Sequence, residues 1–149
     1  MSGRDLTLAF TVEQSAEQVF QAVTNVRGWW SEQIVGDTDR LGATFDFRHQ
    51  DIHRSRHTIT ELVPGKKVVW HTTDSEISYV EDHAEWTGTD VVFEIAERDG
   101  KTELRFTHVG LRPSIECYGE CSGAWGMFVT ESLRSLITTG KGQPLAKPR

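Results

Sequence analysis

A chain of 149 residues, 37% apolar and 26% charged, is sized for one domain with one real core, burying about two-thirds of its unfolded surface. Sixteen Lys and Arg against 22 Asp and Glu leave a net charge of −6, which repels phosphate backbones and argues against a nucleic-acid partner. No apolar run approaches the roughly 18 residues of a membrane span, and nothing at the N-terminus reads as a secretory signal. A cytoplasmic protein with free thiols at Cys117 and Cys121 is therefore expected.

Leu6 to Val12 alternates with period two and predicts a strand with its even positions buried. Ser15 stands three residues before Gln18, the capping-box spacing, and opens a short amphipathic helix from Ala16 to Val23. Gly28 and Trp29-Trp30 interrupt it, and the chain to Gly42 reads as loop.

From Ala43 to Val109 the pattern is an antiparallel meander. Phe45, Phe47 and His49 share one strand face, Val68 and Trp70 another, Phe93 and Ile95 a third, and Leu104, Phe106 and His108 a fourth. Pro64-Gly65 and Asp99-Gly100 supply turn chemistry. Nine acidic residues between Asp74 and Asp99, against the single base Arg98, read as solvated sheet faces. Beyond Pro113, Trp125, Phe128, Val129, Ser132, Leu133 and Leu136 mark the inner face of a long helix that stops before Gly140. The last residues, about 143–149, read as a flexible tail following ordered residues of about 5–142.

Motifs that could carry chemistry are few. His49, His53 and His57 are spaced by four, but the segment joins two strands and reads as a solvated turn, so no metal site is expected. Cys117 and Cys121 lack further ligands and are spaced unfavourably for a disulfide. Gly119-Glu120-Cys121-Ser122-Gly123 has the spacing of a nucleophile elbow, but no histidine follows it and no clear strand precedes it. Gly100-Lys101-Thr102 lacks the earlier glycine of a phosphate loop. His108 is the polar side chain expected to point inward, either as an acid/base group or as a tether for the loop at Gly110.

A further set of residues is more specific: Val19 to Thr24, Trp29-Trp30, Gly42-Ala43-Thr44-Phe45, Glu61-Leu62-Val63-Pro64-Gly65-Lys66-Lys67-Val68-Val69-Trp70, Thr107-His108-Val109-Gly110-Leu111, Trp125, Ser132-Leu133 and Thr139 to Pro144. In this order they resemble the START-like SRPBCC superfamily, in the branch of the activators of heat-shock-chaperone ATPase, over about Leu6 to Pro144. The resemblance implies an α+β helix-grip fold. A curved antiparallel sheet of about six or seven strands would wrap a long C-terminal helix, with two short helices near the N-terminus. It also implies small-molecule binding in an apolar cavity between sheet and helix, and the expected ligand is small and largely apolar, held without a cofactor. The expected lining is Phe47, His49, Trp70, Phe93, Phe106, His108, Trp125, Phe128 and Val129. Alternation alone does not separate a hollow interior from a filled one. Two other readings stay open: a cyclase- or hydrolase-type enzyme using His108, and a protein that docks a chaperone. Monomer and homodimer are both compatible with the sequence.

Overall fold

The computed structural model describes residues 6–31, 34–49, 53–77, 88–109 and 125–143. The chain begins with β1 (Leu6–Val12) and α1 (Ala16–Thr24), then makes a 3₁₀ turn at Val26–Gly28. Six further strands follow: β2 (Val35–Gly36), β3 (Thr44–His49), β4 (His53–Val63), β5 (Lys67–Ile77), β6 (Asp90–Arg98) and β7 (Lys101–Val109). All pairings are antiparallel, and the seven strands lie in the order β1-β7-β6-β5-β4-β3-β2. The C-terminal helix runs through Gly126–Leu133 and continues as Arg134–Thr139. This is the helix-grip arrangement expected from the sequence.

Local chemistry accounts for the boundaries. The Ser15 hydroxyl accepts the Gln18 amide N–H, and the Gln18 side chain accepts the Ser15 N–H at 3.0 Å, closing the capping box. Val19, Ala22 and Val23 form the buried stripe of α1. Between β4 and β5, Pro64 fits a turn in which Gly65 takes φ 72° and Lys66 N–H donates to Val63 O at 3.0 Å. Between β6 and β7, Asp99 and Gly100 both have positive φ, 52° and 77°, as a two-residue hairpin turn of matching twist requires. Gly140 ends the C-terminal helix in the left-handed conformation.

Two features differ from the sequence expectation, and a third lies beyond the end of the C-terminal helix. The segment read as a solvated turn around His57 is strand: β4 begins at His53, and Ser55 and His57 are fully buried. Two register shifts, at Arg56/His57 and Ile59/Glu61, carry its pairing with β5 past the irregularity. The first part of the C-terminal helix, Gly126–Leu133, is wound as a π-helix. The Thr130 hydroxyl donates to the Gly126 carbonyl and competes there with the regular main-chain bond, which favours a wider turn. Finally, the chain is still docked at Gln143, whose N–H donates to the Ser132 hydroxyl at 2.6 Å.

The core lies between the concave sheet face and the helices. It takes Phe45 and Phe47 from β3, Ile59 from β4, Val68 and Trp70 from β5, Val91 and Phe93 from β6, and Leu104 and Phe106 from β7. Trp125, Phe128, Val129, Leu133 and Ile137 close it from the C-terminal helix. The opposite sheet face carries exposed ion pairs such as Arg56–Asp46 at 2.8 Å and Arg54–Asp74 at 3.0 Å. The hydrogen bond that Arg56 donates to the Asp46 carboxylate raises the guanidinium pKa above its ordinary value. Such exposed pairs contribute little to stability. Among the described residues, no helix is long and apolar enough to cross a membrane.

Candidate functional site

The interior is built on indoles. Trp29 and Trp30 follow the 3₁₀ turn and are both buried, although the sequence reads them as loop. Trp30 stacks on Phe47 with ring centroids 4.1 Å apart, and on Trp70 at 5.8 Å with planes 9° from parallel. Trp29 stacks on Trp30 at 6.3 Å and on Trp70 at 6.2 Å. From the C-terminal helix, Trp125 meets Trp30 at 5.0 Å and Phe106 at 4.8 Å.

The Trp pair is held from two sides. Trp29 Nε1–H donates to Val23 O at 3.1 Å, anchoring it to the end of α1. The buried Ser132 hydroxyl donates to Trp29 O at 2.7 Å and accepts from Gln143, so the helix and the segment after it clamp the same backbone. A Cβ on Gly142 would come within 2.2 Å of Gly28 O, so this backbone-on-backbone approach requires glycine there.

Polar groups are set inside this apolar shell. His57 is fully buried, with Ser55 Oγ 2.8 Å from Nε2 and Thr72 Oγ1 3.0 Å from Nδ1. Its ring lies 5.3 to 5.7 Å from those of Phe45, Trp30 and Trp70. His108 is equally buried: Trp125 Nε1–H donates to Nδ1 at 3.0 Å, and Thr89 Oγ1 lies 2.9 Å from Nε2. Because an indole N–H only donates, His108 Nδ1 is the acceptor, and the neutral ring carries its proton on Nε2. Protonating Nδ1 would break the bond to Trp125. The two histidines are linked through the backbone, since Thr72 N–H donates to Thr89 O at 2.8 Å. Trp70 Nε1 is buried among these rings and has no hydrogen-bond partner among the described residues.

A family model described as activator of Hsp90 ATPase homolog 1-like protein matches residues 13–138. The chain belongs to this family. A solved structure, the Aha1 dimer from Colwellia psychrerythraea, is 25% identical with a TM-score of 0.74, over 93% of this chain and 99% of that one. DynU16, from the dynemicin biosynthetic locus, superposes with a TM-score of 0.66 at 16% identity, over 92% of this chain and 48% of that one. CalU16 from Micromonospora echinospora gives 0.63 at 17% identity, over 93% and 78%. The last two likenesses are likenesses of fold. No curated protein matches the sequence.

Within this family member, Phe47, Trp70, Phe93, Phe106, His108, Trp125, Phe128 and Val129 all lie buried in the shared interior, on the elements expected. His49 pairs with His53 at the β3–β4 end of the sheet, and the side chains of both lie outside the described residues. Cys117, Cys121 and the elbow-like segment 119–123 also lie outside them. Among the described residues, no three His, Cys, Asp or Glu side chains come together as metal ligands. Sequence reasoning missed Trp29, Trp30, Ser55, His57, Thr72 and Thr89. Only the alternation Ser55-His57-Ile59 could have shown that His57 faces inward.

Proposed function

We propose that this protein is a binding module that holds a small, largely apolar molecule between the concave sheet face and the C-terminal helix, without a cofactor. The observation that carries this reading is the polar equipment inside the aromatic interior. His57 and His108 are fully buried, and Trp70 offers an N–H with no partner among the described residues. Filling a core needs none of these groups, and a buried donor left unpaired costs about 1–3 kcal/mol. An aromatic ligand bearing a carbonyl or ether oxygen would stack on the indoles and accept from Trp70. Few convergent polar groups within an apolar lining are what such sites use for orientation.

The test pairs a ligand screen with a filled variant. Lipids, sterols and aromatic polyketones are screened by thermal shift and tryptophan emission. A true ligand raises the melting temperature, by about 2.7 kcal/mol of stability at a hundredfold excess over Kd. Val129→Trp, on the inner helix face, should fold and lose that response. If it instead loses the about 1–3 kcal/mol of an overpacked core, and no compound shifts the wild type, the interior is simply full.

A second reading rests on the family match: docking to an Hsp90-type chaperone and raising its ATPase rate. Steady-state ATP hydrolysis by the chaperone, with and without this protein, decides it.

A further inference from the structure

His57 and His108 are the buried titratable side chains among the described residues, and their partners allow them different things. His108 accepts the Trp125 indole N–H on Nδ1, so a proton placed there loses that bond. His57 sits between two hydroxyls, with Ser55 Oγ 2.8 Å from Nε2 and Thr72 Oγ1 3.0 Å from Nδ1. A hydroxyl both donates and accepts. In the neutral ring one nitrogen donates and the other accepts, so one of the two hydroxyls points its hydrogen at the ring. In the imidazolium both nitrogens donate, both hydroxyls accept, and that hydrogen turns outward. His57 can therefore gain a proton and keep both bonds, and the gain releases an O–H donor into the interior.

The other buried polar side chains among the described residues are hydroxyls, with no carboxylate, ammonium or guanidinium. On the strands around His57, Asp46 pairs with Arg56, Arg54 with Asp74 and His71 with Asp90, all on the opposite, more exposed sheet face. Arg27, beside the Trp pair, is turned to the carbonyls of Ile34 and Gly36. An imidazolium among Phe45, Trp30 and Trp70 thus has no counter-charge from the described residues, and burying a charge unpaired is costly. A ligand that carries a negative charge supplies what is missing. Trp70 adds a further donor, its buried Nε1–H, on a ring 5.7 Å from that of His57. A carboxylate only accepts, and a flat aromatic body stacks on indoles. A cationic amine meets no buried carboxylate.

We propose that the interior selects aromatic carboxylic acids and binds them as carboxylates, with His57 taking one proton from solvent as the ligand enters. This rests on the reading of the interior as a ligand cavity and adds the charge of its occupant. The complex holds one proton more than the separate protein and carboxylate. Affinity should therefore fall about tenfold per pH unit as pH rises, over the range in which the free acid is ionised.

Benzoate, 2-naphthoate and anthracene-2-carboxylate are titrated calorimetrically beside their methyl esters and aminomethyl analogues, in two buffers of different ionisation enthalpy. At least one acid should saturate and bind more tightly than its ester, with uptake of one proton per ligand. The bound probe should absorb as the carboxylate, and the amine should not bind. His57→Gln offers hydrogen bonds to the same hydroxyls but takes no proton, so it should abolish the uptake and the preference for the acid. His71→Gln, on the outer face, should keep the uptake. An ester that binds as tightly as its acid, without proton uptake, overturns the proposal and leaves the cavity standing. So does a bound probe that absorbs as the neutral acid, or uptake that persists in a folded His57→Gln variant. Should that variant not fold, the proton count and the absorption of the wild type still decide. If only lipids, sterols or polyketones bind, acid selection falls alone; if nothing binds, the cavity falls with it.

Discussion

Replacing Ser132 by Ala removes one fully buried hydroxyl and two hydrogen bonds, to Trp29 O at 2.7 Å and from Gln143 N at 2.6 Å. The carbonyl of Trp29 then lies in the interior without the hydroxyl donor, a loss of about 1–3 kcal/mol for a buried group. Gln143 is exposed, so water takes over its N–H and that bond adds only about 0.5–1 kcal/mol. A sum of about 1.5–4 kcal/mol lowers the melting temperature by about 3–16 °C at this chain length. The loss should be local before it is global. The segment from Lys141 to Gln143 is held by Ser132, by the packing of Gly142 on Gly28 and, at Lys141 itself, by the Ser135 hydroxyl donating to its carbonyl at 2.6 Å; losing the first of these should accelerate limited trypsinolysis at Lys141 at temperatures well below melting. Gly142→Val breaks the same clamp from the other side, and the double variant should cost less than the two single losses added together. If Ser132→Ala melts with the wild type and Lys141 is cut no faster, the clamp is not what holds the Trp pair.

Leu133 is fully buried on the inner face of the C-terminal helix, so Leu133→Asp buries an unpaired charge and should abolish folding against a typical total of about 5–15 kcal/mol. Loss of near-ultraviolet dichroism would show it, and a cooperative melt near the wild-type temperature would contradict the docking of the helix. Ser15→Ala removes the hydroxyl that accepts from Gln18 and should cost about 1 kcal/mol, read as a parallel shift in a urea titration. Ser15→Asp, which keeps an acceptor at that position, should restore most of it.

What the sequence made legible was whatever repeats locally. The capping box of α1, the positive-φ turns at Gly65 and Gly100, and the alternation of β6 and β7 each declare themselves within a few residues. His57 did not, because Asp51, His53, Arg54, Ser55 and Arg56 are polar on both faces, and polar alternation has the profile of a solvated turn. Its inward partner Thr72 is 15 positions away on another strand. The same distance problem hid the partner of His108: the face of β7 was readable, but the indole that fixes the tautomer arrives 17 residues later. Trp29 and Trp30 escaped because neighbouring residues are both buried only where the backbone is irregular, and irregular backbone has no period to detect.

The near-parallel indoles of Trp29, Trp30 and Trp70, separated by 5.8 to 6.3 Å, also form a coupled set of chromophores. At such spacings their electronic transitions mix, and the exciton bands fall on the same far-ultraviolet region as the peptide signal. Secondary-structure content read from circular dichroism will be distorted by an amount that reports the stack rather than the backbone. Excitation absorbed by any of the three migrates to the lowest-energy member before emission, which depolarises the fluorescence. Quenching one ring therefore darkens its neighbours, and anisotropy becomes a direct gauge of whether the three rings remain stacked.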